Sequence, residues 1–92
     1  HKFLHADELA FVHNQPTGKQ INLLTLLWSA KEAMFKWWGR GDVDFSEAMQ
    51  TGSFPFTPAG IIPARFIKDD LDFCLAIHYQ MRAGLSLAWV NS

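Results

Sequence analysis

Ninety-two residues allow one small domain, since compact domains run from about 50 to about 250 residues, and exclude a two-domain enzyme. Eight Lys and Arg against nine Asp and Glu give a formal net charge of -1, so no global field draws the chain to nucleic acid or anionic lipid. The composition is 49% hydrophobic and 18% charged, more apolar surface than so few charges cover, which points to a face meant for a partner. The lone cysteine, Cys74, excludes an internal disulfide framework and a multi-cysteine zinc site and agrees with a reducing compartment. No apolar run approaches the ~20 residues that span a bilayer and no signal-like segment opens the chain, so a soluble, cytoplasmic protein is expected. His1 stands where Met would start a complete product, the first ground for expecting a piece of a longer one.

His1 to His13 carry Phe3, Leu4, Leu9, Phe11 and Val12, with Asp7 and Glu8 early, which suits a short helix whose N-terminal dipole favours acids. Asn14-Gln15-Pro16-Thr17-Gly18 predicts a loop. From about Asn22 to Trp38 there is neither Pro nor Gly, and two adjoining rows, Leu24/Trp28/Phe35/Trp38 and Leu23/Leu27/Met34/Trp37, predict a helix buried on much of its circumference. Gly39 and Gly41 end it as C-caps.

Beyond Gly41 the segment through Pro58, Gly60 and Pro63 reads as irregular chain and short edge strands. Three later stretches predict an antiparallel meander: Ala64 to Lys68, Asp72 to Gln80 with Phe73, Leu75, Ile77 and Tyr79 on one face, and Leu85 to Val90 with Leu85, Leu87 and Trp89 on one face. The expected fold is one α+β domain over residues 1–92, two N-terminal helices packed on a small antiparallel sheet.

The densest cluster of polar groups in apolar surroundings is on the long helix. Glu32 and Lys36 are four apart on one face and Lys31 lies about 100° round from Glu32, so a carboxylate stands between two ammonium groups. Carboxylate oxygens suit magnesium and lysines meet phosphate oxygens as point charges, which describes a site for a metal-bound phosphate ester. Glu followed four residues later by Lys is also the ordinary surface ion pair of any helix, worth about 0.2 to 0.5 kcal/mol.

The string Trp28-x-x-Lys31-Glu32-Ala33-x-x-Lys36 resembles the second signature of the 4′-phosphopantetheinyl transferase superfamily, with every defined position filled. Gly39-Arg40-Gly41 resembles the family's Gly-x-Gly turn, and Lys2-Phe3-Leu4 with Asp7-Glu8-Leu9 resembles its segment of a basic residue, Phe, Phe or Leu, then a helix opened by acids, so the resemblance covers nearly the whole chain. It implies a half of that fold and magnesium-dependent transfer of 4′-phosphopantetheine from coenzyme A to a serine of an acyl or peptidyl carrier protein, releasing 3′,5′-ADP. By resemblance Glu32 is a metal ligand and helps position or deprotonate the serine, Lys31 and Lys36 contact the coenzyme A phosphates, and Lys36 assists the leaving group. Trp28 is expected to pack as a core aromatic, and its place at the head of the string favours the surfactin-type branch over the small trimeric holo-acyl-carrier-protein synthases. The family's earlier Gly-x-Asp signature, source of a second metal ligand, has no counterpart here, since Asp7 is the only aspartate before the helix and lacks the preceding Gly. The chain is therefore expected to be the C-terminal portion of a transferase, inactive alone, completed by an N-terminal half or as a homo-oligomer. The alternative is a non-catalytic domain of the same fold acting as a dimerising or carrier-binding module; a third is an unrelated interaction domain.

Other residues attract functional readings that their surroundings discount. His1 and His5 form an i, i+4 pair of the kind that clamps zinc on a helix, but no third ligand accompanies it in the sequence. His13 is expected to face solvent, His78 to be a satisfied or edge histidine in a strand, Cys74 to fill a small apolar space, and Asp69, Asp70 and Asp72 to form a solvated turn. Of Trp37 and Trp38, one is expected in the core and the other at the surface, where with Phe54, Phe56 and Arg40 it could dock a carrier protein.

Overall fold

The computed structural model describes residues 2–83 and 85–90. Helices α1 (Ala6–His13) and α2 (Thr17–Trp38) lead into strands β1 (Met49–Thr51), β2 (Ala59–Lys68), β3 (Leu71–Arg82) and β4 (Leu85–Val90). The strands form one antiparallel sheet in the order β1-β2-β3-β4. The expected α+β arrangement of two helices on a small antiparallel sheet is what the chain adopts. Among the described residues, no helix is long and apolar enough to cross a membrane.

Helix α1 starts at Ala6, later than the sequence reading placed it, because a capping box fixes its first turn. His5 is the N-cap: its Nδ1 accepts from the Asp7 amide, and the Glu8 carboxylate takes the His5 amide at 2.7 Å. Helix α2 begins five residues before the expected Asn22. Pro16 at the cap costs nothing where amides lack helical partners anyway, and Gly18 is tolerated in the first turn. The Gln20 side chain braces the α1–α2 turn by donating to the Gln15 carbonyl at 3.0 Å. Gly39 closes α2 at φ 68°, its amide bonded to the Phe35 carbonyl at 3.0 Å, as the sequence predicted.

Strand β2 reaches further back than the sequence reading, straight through Pro63. In an antiparallel strand a residue's amide and carbonyl point to the same neighbour, and the Pro63 carbonyl accepts from Gly52 at 2.7 Å, just past the Thr51↔Ala64 end of β1. The missing proline donor therefore falls where that neighbouring ladder has stopped.

Leu23, Leu26, Leu27, Ala30 and Met34 of α2 are completely buried together with Met49, Ile62, Phe66 and Ile77 of the sheet. Tyr79 lies among them, its hydroxyl meeting the Thr57 amide and Pro55 carbonyl, each at 3.3 Å. Phe54 is buried and packs on Phe11 and Tyr79, which withdraws it from the docking role the sequence offered. Nor is there one buried and one exposed tryptophan at the helix end. Trp37 and Trp38 are both half-buried and both lie against Phe66, with the Arg40 guanidinium 5.1 Å above the Trp38 ring.

The sheet's other face is uncovered. Leu85, Leu87 and Trp89 point to it, while Ser86, Ala88 and Val90 turn toward the helices. Cys74 shares the uncovered face and is exposed, opposite the buried role expected of it, because it lies on the even-numbered side of β3. His78 stacks on Trp89 there, ring centroids 5.8 Å apart. Asp72 is an ion-pair partner of Arg65 as well as part of an acidic turn.

Candidate functional site

Three of the four defined polar or aromatic positions in the signature string lie at the surface, and the fourth does not. Glu32 and Lys36 are exposed on α2, one turn apart. Trp28, expected in the core, keeps 43% of its surface in solvent. Among the described residues neither the Glu32 nor the Lys36 side chain makes a hydrogen bond or ion pair, so the ordinary helix-surface pairing is not formed.

Lys31 has no accessible surface. Its ammonium donates to Glu8 Oε1 at 2.7 Å, to the Phe45 carbonyl at 2.6 Å and to the Met49 carbonyl. A lysine ammonium has three donors, and all are consumed by protein acceptors. The expectation that Lys31 contacts coenzyme A phosphates is therefore corrected: nothing of this side chain is left for a ligand. The cause is the step of about 100° between neighbours on a helix, which turns Lys31 inward when Glu32 faces out. Burial pulls the Lys31 pKa below the ordinary lysine value, while the Glu8 carboxylate and, further off, Asp44 and Glu47 pull the other way.

Glu8 is the residue that sequence reasoning missed. It is 2% exposed and completely used: Oε1 takes the His5 amide and Lys31, and Oε2 takes the Thr51 amide at 2.7 Å and the Thr51 hydroxyl. One carboxylate thus joins α1, α2 and β1. A signal existed in His5-x-x-Glu8, whose spacing is that of a capping box. Nothing in the sequence marked its second task, because Lys31 is 23 residues further along the chain.

The segment after α2 is held close by the same ammonium. Asp44 Oδ1 accepts from the Ser46 amide at 2.9 Å and the Ser46 hydroxyl at 2.7 Å, folding a turn that brings the Phe45 carbonyl to Lys31 and the Phe45 ring onto α2. These hydrogen bonds hold the Asp44 carboxyl below the usual carboxylate range. The Phe45 ring stacks on Trp28 at 5.5 Å between centroids and lies 5.5 Å from Phe35, with Phe3 edge-on to Trp28 at 5.2 Å. On the opposite flank the Ser29 hydroxyl meets that of Ser86 at 2.7 Å, tying α2 to β4. Glu32 thus sits between an aromatic wall and Lys36.

Glu32 is the hard-oxygen ligand this face offers. Among the described residues no group of three His, Cys, Asp or Glu could hold a metal ion. The described side chains do not make a magnesium site by themselves, since magnesium demands near-octahedral oxygen coordination. The His1/His5 zinc pair rests partly on His1, which lies outside the described residues, and His5 is engaged in the α1 cap.

A family model described as the 4′-phosphopantetheinyl transferase superfamily matches residues 1–90. Comparison with curated proteins and with solved structures returns no match.

Proposed function

Because the chain belongs to the 4′-phosphopantetheinyl transferase superfamily, we propose that it serves the transfer of 4′-phosphopantetheine from coenzyme A to a serine of an acyl or peptidyl carrier protein in the cytoplasm, as part of a surfactin-type, magnesium-dependent transferase. The observation that carries this reading is the pair Glu32 and Lys36, exposed on one face of α2 with no side-chain partner among the described residues, inside a string that fills the family signature. In the transfer, the serine oxygen forms a bond to the β-phosphorus of coenzyme A as the bond to the 3′,5′-ADP leaving group breaks, and the serine proton is taken up. Lys36 brings a positive charge to the phosphate oxygens, and Glu32 is the carboxylate available to accept that proton or hold its donor in place. Such reactions depend mostly on positioning and charge neutralisation. Since Glu32 has no second carboxylate beside it among the described residues, magnesium needs further oxygens from substrate, water or another polypeptide segment, so this chain alone is expected to modify a carrier protein barely or not at all.

Calorimetric titration of coenzyme A into the purified chain, with and without magnesium, tests the reading. Binding that requires magnesium and disappears on Glu32→Ala supports it; binding indifferent to that substitution leaves a non-catalytic module of the same fold. Efficient modification of a carrier protein by the chain alone would show that no further ligand is needed.

A further inference from the structure

A cleft of about 280 Å³ opens between the first turns of α2, the 56–58 segment and the end of β3, with Lys19, Asn22, Phe56, Thr57, Met81 and Arg82 in its lining. Lys19 precedes Glu32 by about 20 Å along the helix, at 1.5 Å per residue, so the cleft is remote from the signature face. Lys19 and Arg82 come from distant parts of the chain, and no acid lines the cleft among the described residues. Neither cation's side chain makes a hydrogen bond or ion pair among the described residues, and the Asn22 side-chain amide makes none either. The walls are fixed without a ligand. The Met81 amide donates to the Pro58 carbonyl at 2.7 Å, the Thr57 amide to the Tyr79 hydroxyl at 3.3 Å, and the Thr57 hydroxyl to the Ala59 carbonyl at 2.7 Å. Phe56 and Met81 are half-buried and supply the apolar part of the lining, Phe56 standing edge-on to the buried Phe54 with ring centroids 6.4 Å apart.

A cleft lined by one sign of charge concentrates the counter-ion. Arginine meets phosphate oxygens as a planar fork and lysine as a point charge, and the Asn22 amide adds neutral donors. A phosphate monoester brings three acceptor oxygens and close to two negative charges, matching both cations; a carboxylate brings one charge and leaves a cation unmatched. The volume corresponds to about nine water-sized groups, short of a nucleotide. The apolar lining favours a ligand whose remainder is compact and apolar. We propose that this cleft binds a small phosphate monoester, its phosphate between Lys19 and Arg82 and its apolar body against Phe56 and Met81. The site is separate from the Glu32 and Lys36 face and does not depend on the coenzyme A reading.

The test is a titration of the purified chain with phenyl phosphate at about pH 8, where a phosphate monoester is dianionic, followed by the nuclear magnetic resonance shifts of the backbone amides. Saturable shifts are expected at Lys19, Asn22, Thr57, Met81 and Arg82. Inorganic phosphate, which lacks the apolar body, and benzoate, which carries one charge, are each expected to bind about tenfold more weakly or worse. Lys19→Gln and Arg82→Gln are each expected to weaken phenyl phosphate about tenfold, the loss of one charge-assisted hydrogen bond, while Lys36→Gln leaves it unchanged. Both cleft cations are exposed, so their variants are expected to fold, which circular dichroism establishes. The proposal is overturned if no probe moves these amides saturably, or if inorganic phosphate or benzoate binds as tightly as phenyl phosphate. It is overturned equally if Lys36→Gln abolishes binding and Arg82→Gln does not, which would put the anion on the signature face.

Discussion

Lys31 and Glu32 are adjacent in the chain, yet the first has no accessible surface and the second is exposed. Lys31 spends its three donors on Glu8 and two backbone carbonyls, and Glu32 has no partner among the described residues. One turn of the same helix therefore carries a structural charge and a free one. The difference teaches that a signature string is not a roll of ligands: one of its three charges builds the platform, and the other two stand on it.

The comparison breaks first if Lys31 proves dispensable to the fold. Lys31→Ala leaves Glu8 buried without its counter-charge, and Glu8→Ala leaves Lys31 so; each is expected to cost about 3 to 5 kcal/mol in urea unfolding. The double variant should cost much less than the sum, because the two residues act as one unit. Next, Gly39→Ala forces a side chain into the left-handed conformation that stops the signature helix, and a loss of about 1 to 2 kcal/mol is expected by thermal unfolding. Arg65 and Asp72 supply the exposed counterpart of the buried pair, with side chains 53% and 48% accessible. Solvent screening limits such a pair, and Asp72→Ala should cost less than about 1 kcal/mol. Glu32→Ala should shift stability by no more than about 0.5 kcal/mol while removing magnesium-dependent coenzyme A binding.

The acid limb sharpens the contrast further. Asp44 is held below its unfolded pKa by Ser46 and Glu47, so the unfolded chain binds its proton more readily. Its contribution is therefore full above the unfolded carboxylate pKa and is lost as pH falls through the folded value. Ser46→Ala removes the hydroxyl donor to Asp44 and keeps the amide donor, and is expected to flatten the acid limb of stability against pH in part.

Much of the fold was legible because it is local. The Leu23/Leu27/Met34 row is the core stripe, Gly39 is the stop, and β3 and β4 lie where alternation put them. What was illegible depends on neighbours far off in sequence. Pro63 sits inside a strand because β1 ends beside it, which no local pattern announces. The apolar side of β4, Leu85, Leu87 and Trp89, turns away from the helices: alternation identifies two faces without saying which one the helices cover. At the site, Glu32 and Lys36 were found on the face expected of them, whereas the inward turn of Lys31 required knowing that Glu8 and the 45–49 segment converge on it.

The division of labour within the signature is tested most directly by titrating 3′,5′-ADP, the nucleotide portion of coenzyme A, in magnesium buffer, into the Glu8→Leu/Lys31→Met variant below its melting temperature. The double substitution removes the buried pair while keeping apolar volume and leaving Glu32 and Lys36 in place. Affinity within about twofold of the parent chain, a difference of only about 0.4 kcal/mol, is the predicted result. Loss of binding from a variant that circular dichroism shows to be folded would mean that Lys31 reaches the phosphates after all, and would contradict the account.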